Sequence, residues 1–159
     1  MAPILSFTAE EAWQVLAGSP ERSVFELVLH EIPDAGLDDS AISRWAQVRL
    51  VREAVSKKIE EKRERKEIGS SLAAEVQIRT SGPAYDALVR LGDDLKFVLL
   101  TSRASLEKGE GAGVTVEVAA SAHPKCERCW HYRADVNADD LCGRCESNLR
   151  GAGEKRVHA

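Results

Sequence analysis

Four cysteines near the end of the chain carry its clearest chemical signal. Cys126-Glu-Arg-Cys129 and Cys142-Gly-Arg-Cys145 form two C-x2-C pairs separated by twelve residues. Two intervening residues let both sulfurs of a pair turn toward one point, with backbone N–H groups left to face the thiolates. Two such knuckles facing each other set four sulfurs at the corners of a tetrahedron, the arrangement Zn2+ prefers, with Zn–S bonds of roughly 2.3 Å. The inner loop is shorter than the about fifteen to twenty residues usual in such ribbons, yet long enough to return. A closed four-sulfur shell leaves no position for water, so the expected metal is structural and not catalytic.

Three rival chemistries fit less well. Disulfides belong to exported chains, and Met-Ala-Pro-Ile-Leu-Ser-Phe at the N-terminus has neither a basic region nor a long apolar stretch. A redox dithiol uses one Cys-x-x-Cys at a helix N-terminus, not two matched copies. Covalent haem attachment needs His directly after the second cysteine, and here Trp130 precedes His131. His123 and His131 flank the first knuckle and could each replace a sulfur. With four cysteines present, both are expected to be surface residues.

Trp130 follows the first knuckle in a polar stretch with little apolar company. It could cover the metal site as a miniature core, or serve as a platform on which a nucleic-acid base stacks, worth about 1–3 kcal/mol per base. Arg128 and Arg144 sit inside the knuckles, and Lys125, Arg133, Arg150, Lys155 and Arg156 add positive charge around them. A rigid metal-held platform with such neighbours suits phosphate contact and stacking on single-stranded RNA.

The elements that must position these residues can be read upstream. The 17.4 kDa chain is 43% apolar and 30% charged, which excludes a disordered tail, a collagen-like fibre and a low-complexity linker. No apolar run approaches the roughly 20 residues that span a bilayer; with reduced, clustered cysteines this points to a cytoplasmic protein with no membrane partner. The net charge of −4 is unevenly spread: residues 1–46 carry −6, 47–69 carry +3, 70–124 carry −2 and 125–159 carry +1. RNA contact is therefore permitted by the middle helix and the tail.

Thr8 and Glu11 have capping-box spacing, predicting a helix through Ala12, Trp13, Val15 and Leu16 that stops at Gly18. Residues 23–32 read as extended, closed by Pro33-Asp34. Trp45, Val48, Val51, Val55 and Ile59 form one apolar stripe on a long helix over 39–67, capped by Asp39 or Ser40 and paired along its surface by Glu53–Lys57 and Glu61–Arg65. Ala74, Val76, Ile78 and Thr80 alternate with polar residues as a half-buried strand. Ala84–Leu91 reads as a short helix. A second, capped by Asp93, runs to about Leu100, although Phe97–Leu100 alone could be a strand. Residues 103–107 and 114–121 read as strands joined by the Gly109–Gly113 turn.

The residues resemble a known family. Lys-Cys-Glu-Arg-Cys-Trp-His-Tyr (125–132), Leu-Cys-Gly-Arg-Cys (141–145), Ser-Asn-Leu (147–149) and Gly-Glu-Lys-Arg (153–156) are similar to the C-terminal zinc end of bacterial isoleucyl-tRNA synthetases. The resemblance continues through Gly92–Ser102 and Ile68–Ala74 to residues 1–11, which look like an interior stretch of that family's helical anticodon-binding domain. It implies that Cys126, Cys129, Cys142 and Cys145 are zinc ligands, and that Arg128 and Trp130 lie where the zinc end approaches the anticodon. Arg49, Arg52, Lys57 and Lys58 would lie in or beside the anticodon bundle. The family joins isoleucine to its tRNA using ATP, in a domain carrying His-Ile-Gly-His and Lys-Met-Ser-Lys-Ser. Neither motif is in this sequence, so no catalytic residue and no ATP site are expected in the chain.

The expected fold is α+β: a helical-bundle remnant (1–69), a small mixed α/β junction unit (70–122) and a C-terminal four-cysteine zinc ribbon (123–159). The expected function is the tRNA anticodon-recognition portion of an isoleucine–tRNA ligase, with one structural Zn2+. Expected RNA contacts are Arg128, Trp130, Arg144, Lys155 and Arg156, and expected partners are tRNA and the remainder of the synthetase. A zinc-stabilised docking module and a stand-alone tRNA-binding protein are the alternatives. The resemblance also implies that Met1 aligns with an internal position, which would leave Ile4, Leu5, Phe7 and Trp13 exposed.

Overall fold

Alternating side chains over Ala74–Thr80 (β1) put Ala74, Val76, Ile78 and Thr80 on one buried face, and this strand is the centre of a three-stranded sheet. The computed structural model describes residues 2–18, 21–28, 31–33, 36, 38–111 and 113–154. Arg103–Lys108 (β2) pairs parallel to β1, with Val76 opposite Ala104 and Ile78 opposite Leu106. Thr115–Ala120 (β3) pairs antiparallel on the other side, with Val76 opposite Val118 and Ile78 opposite Val116. On the outer face Arg79 spans all three strands, 2.8 Å from Glu107 and 3.4 Å from Glu117.

The two strands expected to be joined at 109–113 are thus not neighbours but flank β1. Their connection crosses the end of β1, where the Gly109 N–H donates to the Thr80 carbonyl at 2.8 Å. A Cβ on Gly109 would stand 3.3 Å from the Thr80 nitrogen, so the close crossing favours glycine.

Helices cover the buried face. Asp39–Glu64 (α2) turns Val48, Val51, Val55 and Ile59 into a core shared with Ile68, Val76, Ile78, Leu88, Leu91, Leu95 and Leu99. Trp45, the first member of the expected stripe, remains 42% exposed. The cap is Asp38, whose carboxylate accepts the Ala41 N–H at 2.6 Å; Ser40 donates its hydroxyl to the same oxygen. Ion pairs along α2 run at i,i+3: Lys58–Glu61 at 2.8 Å and Glu60–Arg63 at 2.8 Å.

Gly82–Val89 (α3) carries Pro83 in its first turn. Phe97–Leu99 resolves as helix: Leu95–Leu99 (α4) follows a 3-10 turn over Gly92–Asp94, with Asp94 and not Asp93 at its N-cap and no side-chain cap. Leu100 (φ 57°) ends α4 in the left-handed region. Its N–H reaches the Phe97 carbonyl at 3.2 Å and the Thr101 N–H reaches the Lys96 carbonyl at 2.9 Å. That closure aims residues 101–103 into β2.

Met1–Leu37 is a separate compact unit. Its helix Ser6–Leu16 (α1) begins two residues before the expected cap. Thr8 falls inside the first turn, and the Ala9 N–H already bonds the Leu5 carbonyl at 2.8 Å. The capping box occurs instead at Ser23 and Glu26, on a 3-10 turn over Val24–Glu26 where extended chain was expected. The cause is Glu10: its carboxylate accepts the Ser23 hydroxyl at 2.8 Å and the Val24 N–H at 2.9 Å, holding the segment in a turn. A hydrogen bond from the Gln14 side chain at 2.8 Å, together with these two, holds the Glu10 carboxyl below the usual range. Trp13, expected to be exposed, is half-buried, and its Nε1–H donates to the Arg22 carbonyl at 3.0 Å. Ile4, Leu5 and Phe7 are exposed as expected.

The α+β class, with its small sheet, agrees with the sequence reading. Ile78 is fully buried on the central strand, so Ile78→Ala should cost about 2–5 kcal/mol of unfolding free energy. Urea denaturation followed by far-UV circular dichroism measures it.

Candidate functional site

The first knuckle sits on a short hairpin. Lys125 and Tyr132 pair as an antiparallel bridge, the Cys126 N–H donates to the His131 carbonyl at 2.9 Å, and the Trp130 N–H closes the turn on the Cys126 carbonyl at 2.8 Å. The second knuckle begins at a Val136–Cys142 bridge and runs directly into helix Gly143–Arg150 (α5), which holds Cys145 in its first turn. Asn137 shapes the loop between them. Its side-chain oxygen accepts the N–H groups of Asp139 at 3.0 Å and Leu141 at 3.1 Å.

These turns bring the four cysteine sulfurs within 4.8 Å of one another. Cys126, Cys142 and Cys145 are buried and Cys129 is half-buried. The Cys129 and Cys142 sulfurs are 3.7 Å apart, close to the roughly 3.8 Å edge of a tetrahedron with 2.3 Å metal–sulfur bonds. The donor set fits one zinc ion. His123 and His131 stand outside it: His123 lies 3.9 Å from Glu75, and the His131 Nδ1 lies 3.1 Å from the Cys129 carbonyl oxygen.

The electrostatics favour a cation among the sulfurs. Burial pushes the Cys126 thiol up, but N–H groups of Cys129, Cys142 and Arg128 outweigh it and bring it to about 6. Burial pushes Cys142 up to about 12 and also raises Cys145. Ionising Cys142 and Cys145 therefore calls for nearby positive charge, which a bound metal supplies.

Polar and aromatic contacts join the ribbon to the sheet unit. The Ser102 hydroxyl, buried at the start of β2, donates to the Leu72 carbonyl and accepts the Tyr132 N–H at 2.6 Å. The Phe97 ring of α4 meets His131 edge-on, with centroids 5.6 Å apart. The Arg144 guanidinium lies 5.1 Å from the same ring and 3.3 Å from Glu154. Ser102 and Phe97 were not singled out from the sequence, because a Ser or Phe in a mixed apolar stretch looks like ordinary core.

The residues expected to meet RNA have different surroundings. Trp130 is 59% exposed with φ 63°, a left-handed conformation uncommon for a bulky side chain, and the Lys125 ammonium lies 5.9 Å from its ring. Arg128 is exposed and reaches the Cys145 sulfur at 3.6 Å. The Arg144 side chain is only 14% exposed. Lys155 and Arg156 lie outside the described residues.

Residues 124–148 match a family described as a zinc finger found in FPG and IleRS. Along its whole length the chain is 54% identical to the isoleucine–tRNA ligase of Cupriavidus necator, covering 17% of that protein. It is 49% identical to the isoleucine–tRNA ligase of Aromatoleum aromaticum and 47% identical to that of Bordetella pertussis, covering 18% of each. The chain matches, end to end, the C-terminal part of isoleucine–tRNA ligases. It spans less than a fifth of the length of these ligases. Among the described residues no helix is long and apolar enough to cross a membrane.

Two outcomes follow from this geometry. Removing metal with a chelator under reducing conditions should expose the amides of Cys126, Trp130 and Cys142 to hydrogen exchange while β1 stays protected; equal protection with and without chelator would contradict the metal site. Asp135, bonded by Arg133 at 2.7 and 3.0 Å and by the Gly143 N–H at 3.2 Å, has its carboxyl held below the usual aspartate range. A lowered carboxylate contributes stability above its ordinary value, lost as pH falls through the lowered one. The pair is part-exposed, so Asp135→Asn should cost under about 1 kcal/mol near neutrality. The variant should also flatten the acid side of the ribbon's stability curve, measured by melting between pH 2 and 7.

Proposed function

We propose that this chain is the tRNA-contacting C-terminal part of an isoleucine–tRNA ligase, meeting the anticodon region while ATP-dependent aminoacylation takes place elsewhere in the ligase. The ligase matches over the full chain support this reading. In it, residues 1–69 end the helical anticodon-binding domain, 70–122 form the junction unit, and 123–159 are the zinc-binding tail. Cys126, Cys129, Cys142 and Cys145 ligate one structural zinc.

Trp130 is the observation that carries the RNA contact. A large aromatic side chain, mostly exposed, occupies a backbone conformation where glycine would cost about 1–2 kcal/mol less. Strain of that kind is retained where the side chain has a task. In this reading its indole stacks on an unpaired base, with Lys125 beside it and Arg128 offering a charge to phosphate. Lys155 and Arg156, further along the sequence, add positive charge in this proposal. The remainder of the ligase is the partner for the apolar side chains of the first unit, where Phe7 is 88% exposed and Ile4, Val15 and Leu16 are similarly open.

Trp130→Gly separates a stacking platform from a structural cover, because glycine relieves the backbone strain. We expect full zinc content and unchanged or higher melting temperature. Affinity for isoleucine tRNA should fall about 5- to 150-fold, the equivalent of about 1–3 kcal/mol. Lost zinc, or unaltered tRNA affinity, would contradict the assignment. The affinity of the unsubstituted chain should also fall steeply with salt, since neutralised phosphates release counterions; a flat response would remove the electrostatic part.

A further inference from the structure

The two knuckles share a feature that zinc ligation does not itself explain: the residue before the second cysteine of each is an arginine, Arg128 before Cys129 and Arg144 before Cys145. The two side chains cross. Arg128 of the first knuckle reaches the Cys145 sulfur of the second, at 3.6 Å. Arg144 of the second lies beside the Cys129 sulfur of the first. Each arginine thus serves the second cysteine of the opposite knuckle.

We propose that Arg128 and Arg144 are positioning residues that brace the metal centre crosswise, each lending positive charge to a thiolate of the opposite knuckle. The proposal rests on the four-cysteine metal reading and deepens it. A divalent ion held by four thiolates carries two net negative charges, and three of these cysteines are buried. Buried charge without a partner is costly, and two guanidinium groups supply the matching sign.

The surroundings divide the work between the two. Arg144 is held on three sides, by the Cys129 sulfur, by Glu154 at 3.3 Å and by the Phe97 ring at 5.1 Å. Phe97 belongs to α4 of the sheet unit, so Arg144 also links the thiolates to the body on which the ribbon sits. Glu154 draws on part of its charge. Arg128 is exposed and makes the sulfur contact from the solvent side. Part of the positive charge that the sequence suggests for RNA is on this account directed inward, toward sulfur.

The experiment is a cobalt(II) titration of the full chain under reducing conditions, following the thiolate-to-metal charge-transfer band in competition with a chelator. Zinc affinity is measured on the same samples. Arg128→Gln and Arg144→Gln should each weaken metal binding about 10- to 100-fold, the range for partners that support metal ligands from outside. Arg128→Lys and Arg144→Lys keep the charge and should recover most of the loss. Arg90→Gln, the same charge removed from the end of α3, should change nothing. Glutamine variants that bind metal as tightly as the unsubstituted chain would overturn the proposal. Lysine variants as weak as the glutamine ones would also overturn it, because packing and not charge would then be at work. An unsubstituted chain that takes up no cobalt or zinc would overturn the metal reading along with it. RNA plays no part in the readout, so failure of the tRNA contact is a separate result.

Discussion

Four cysteine sulfurs gathered within 4.8 Å are the constraint on which the tail depends. Thiolates repel one another at such distances, and thiols left protonated give up most of their metal chemistry. The chain around them supplies partners that a bound metal completes. N–H groups face the Cys126 sulfur, two arginines lie against Cys129 and Cys145, and the loop between the knuckles is tied by Asn137. Few apolar side chains pack behind this arrangement, chiefly Val136 and Leu141. Such a core is too small to hold a fold unaided, and metal ligation supplies the missing free energy.

The sheet unit gives that small ribbon a fixed seat. β1 is buried under three helices on one face. The sharp end of α4 at Leu100 then delivers Thr101 and Ser102 to the point where the ribbon begins to pair. One hydroxyl at Ser102 satisfies a carbonyl of the sheet unit and an N–H of the ribbon, so neither backbone group is left unpaired. Phe97 adds an aromatic wall against His131 and Arg144. In the proposed tRNA role this joint fixes the direction of Trp130, which needs a rigid support if stacking is to outweigh its strained backbone.

Some of this was legible in the sequence and some was not, for physical reasons. The C-x2-C pairs announced the metal centre because ligand spacing is a local property. Val48, Val51, Val55 and Ile59 announced α2, and the alternation at 74–80 announced β1, because periodicity survives any tertiary context. Sheet order was hidden: strands joined by a short glycine-rich connection usually pair, and only the crossing at Gly109 separates β2 from β3 here. The misreading at 23–26 traces to the Glu10 carboxylate. It reaches thirteen and fourteen residues ahead to Ser23 and Val24, a non-local bond that no window of sequence contains. The direction of Arg144 was hidden too, since an arginine between cysteines reads alike whether it turns to solvent or to sulfur.

X-ray absorption at the zinc edge, on reduced and metal-replete protein, tests the central claim most directly. The account predicts one zinc per chain surrounded by four sulfurs at roughly 2.3 Å. A shell containing nitrogen, which would bring His123 or His131 into the coordination, or a chain that holds no zinc in stoichiometric amount, would contradict it.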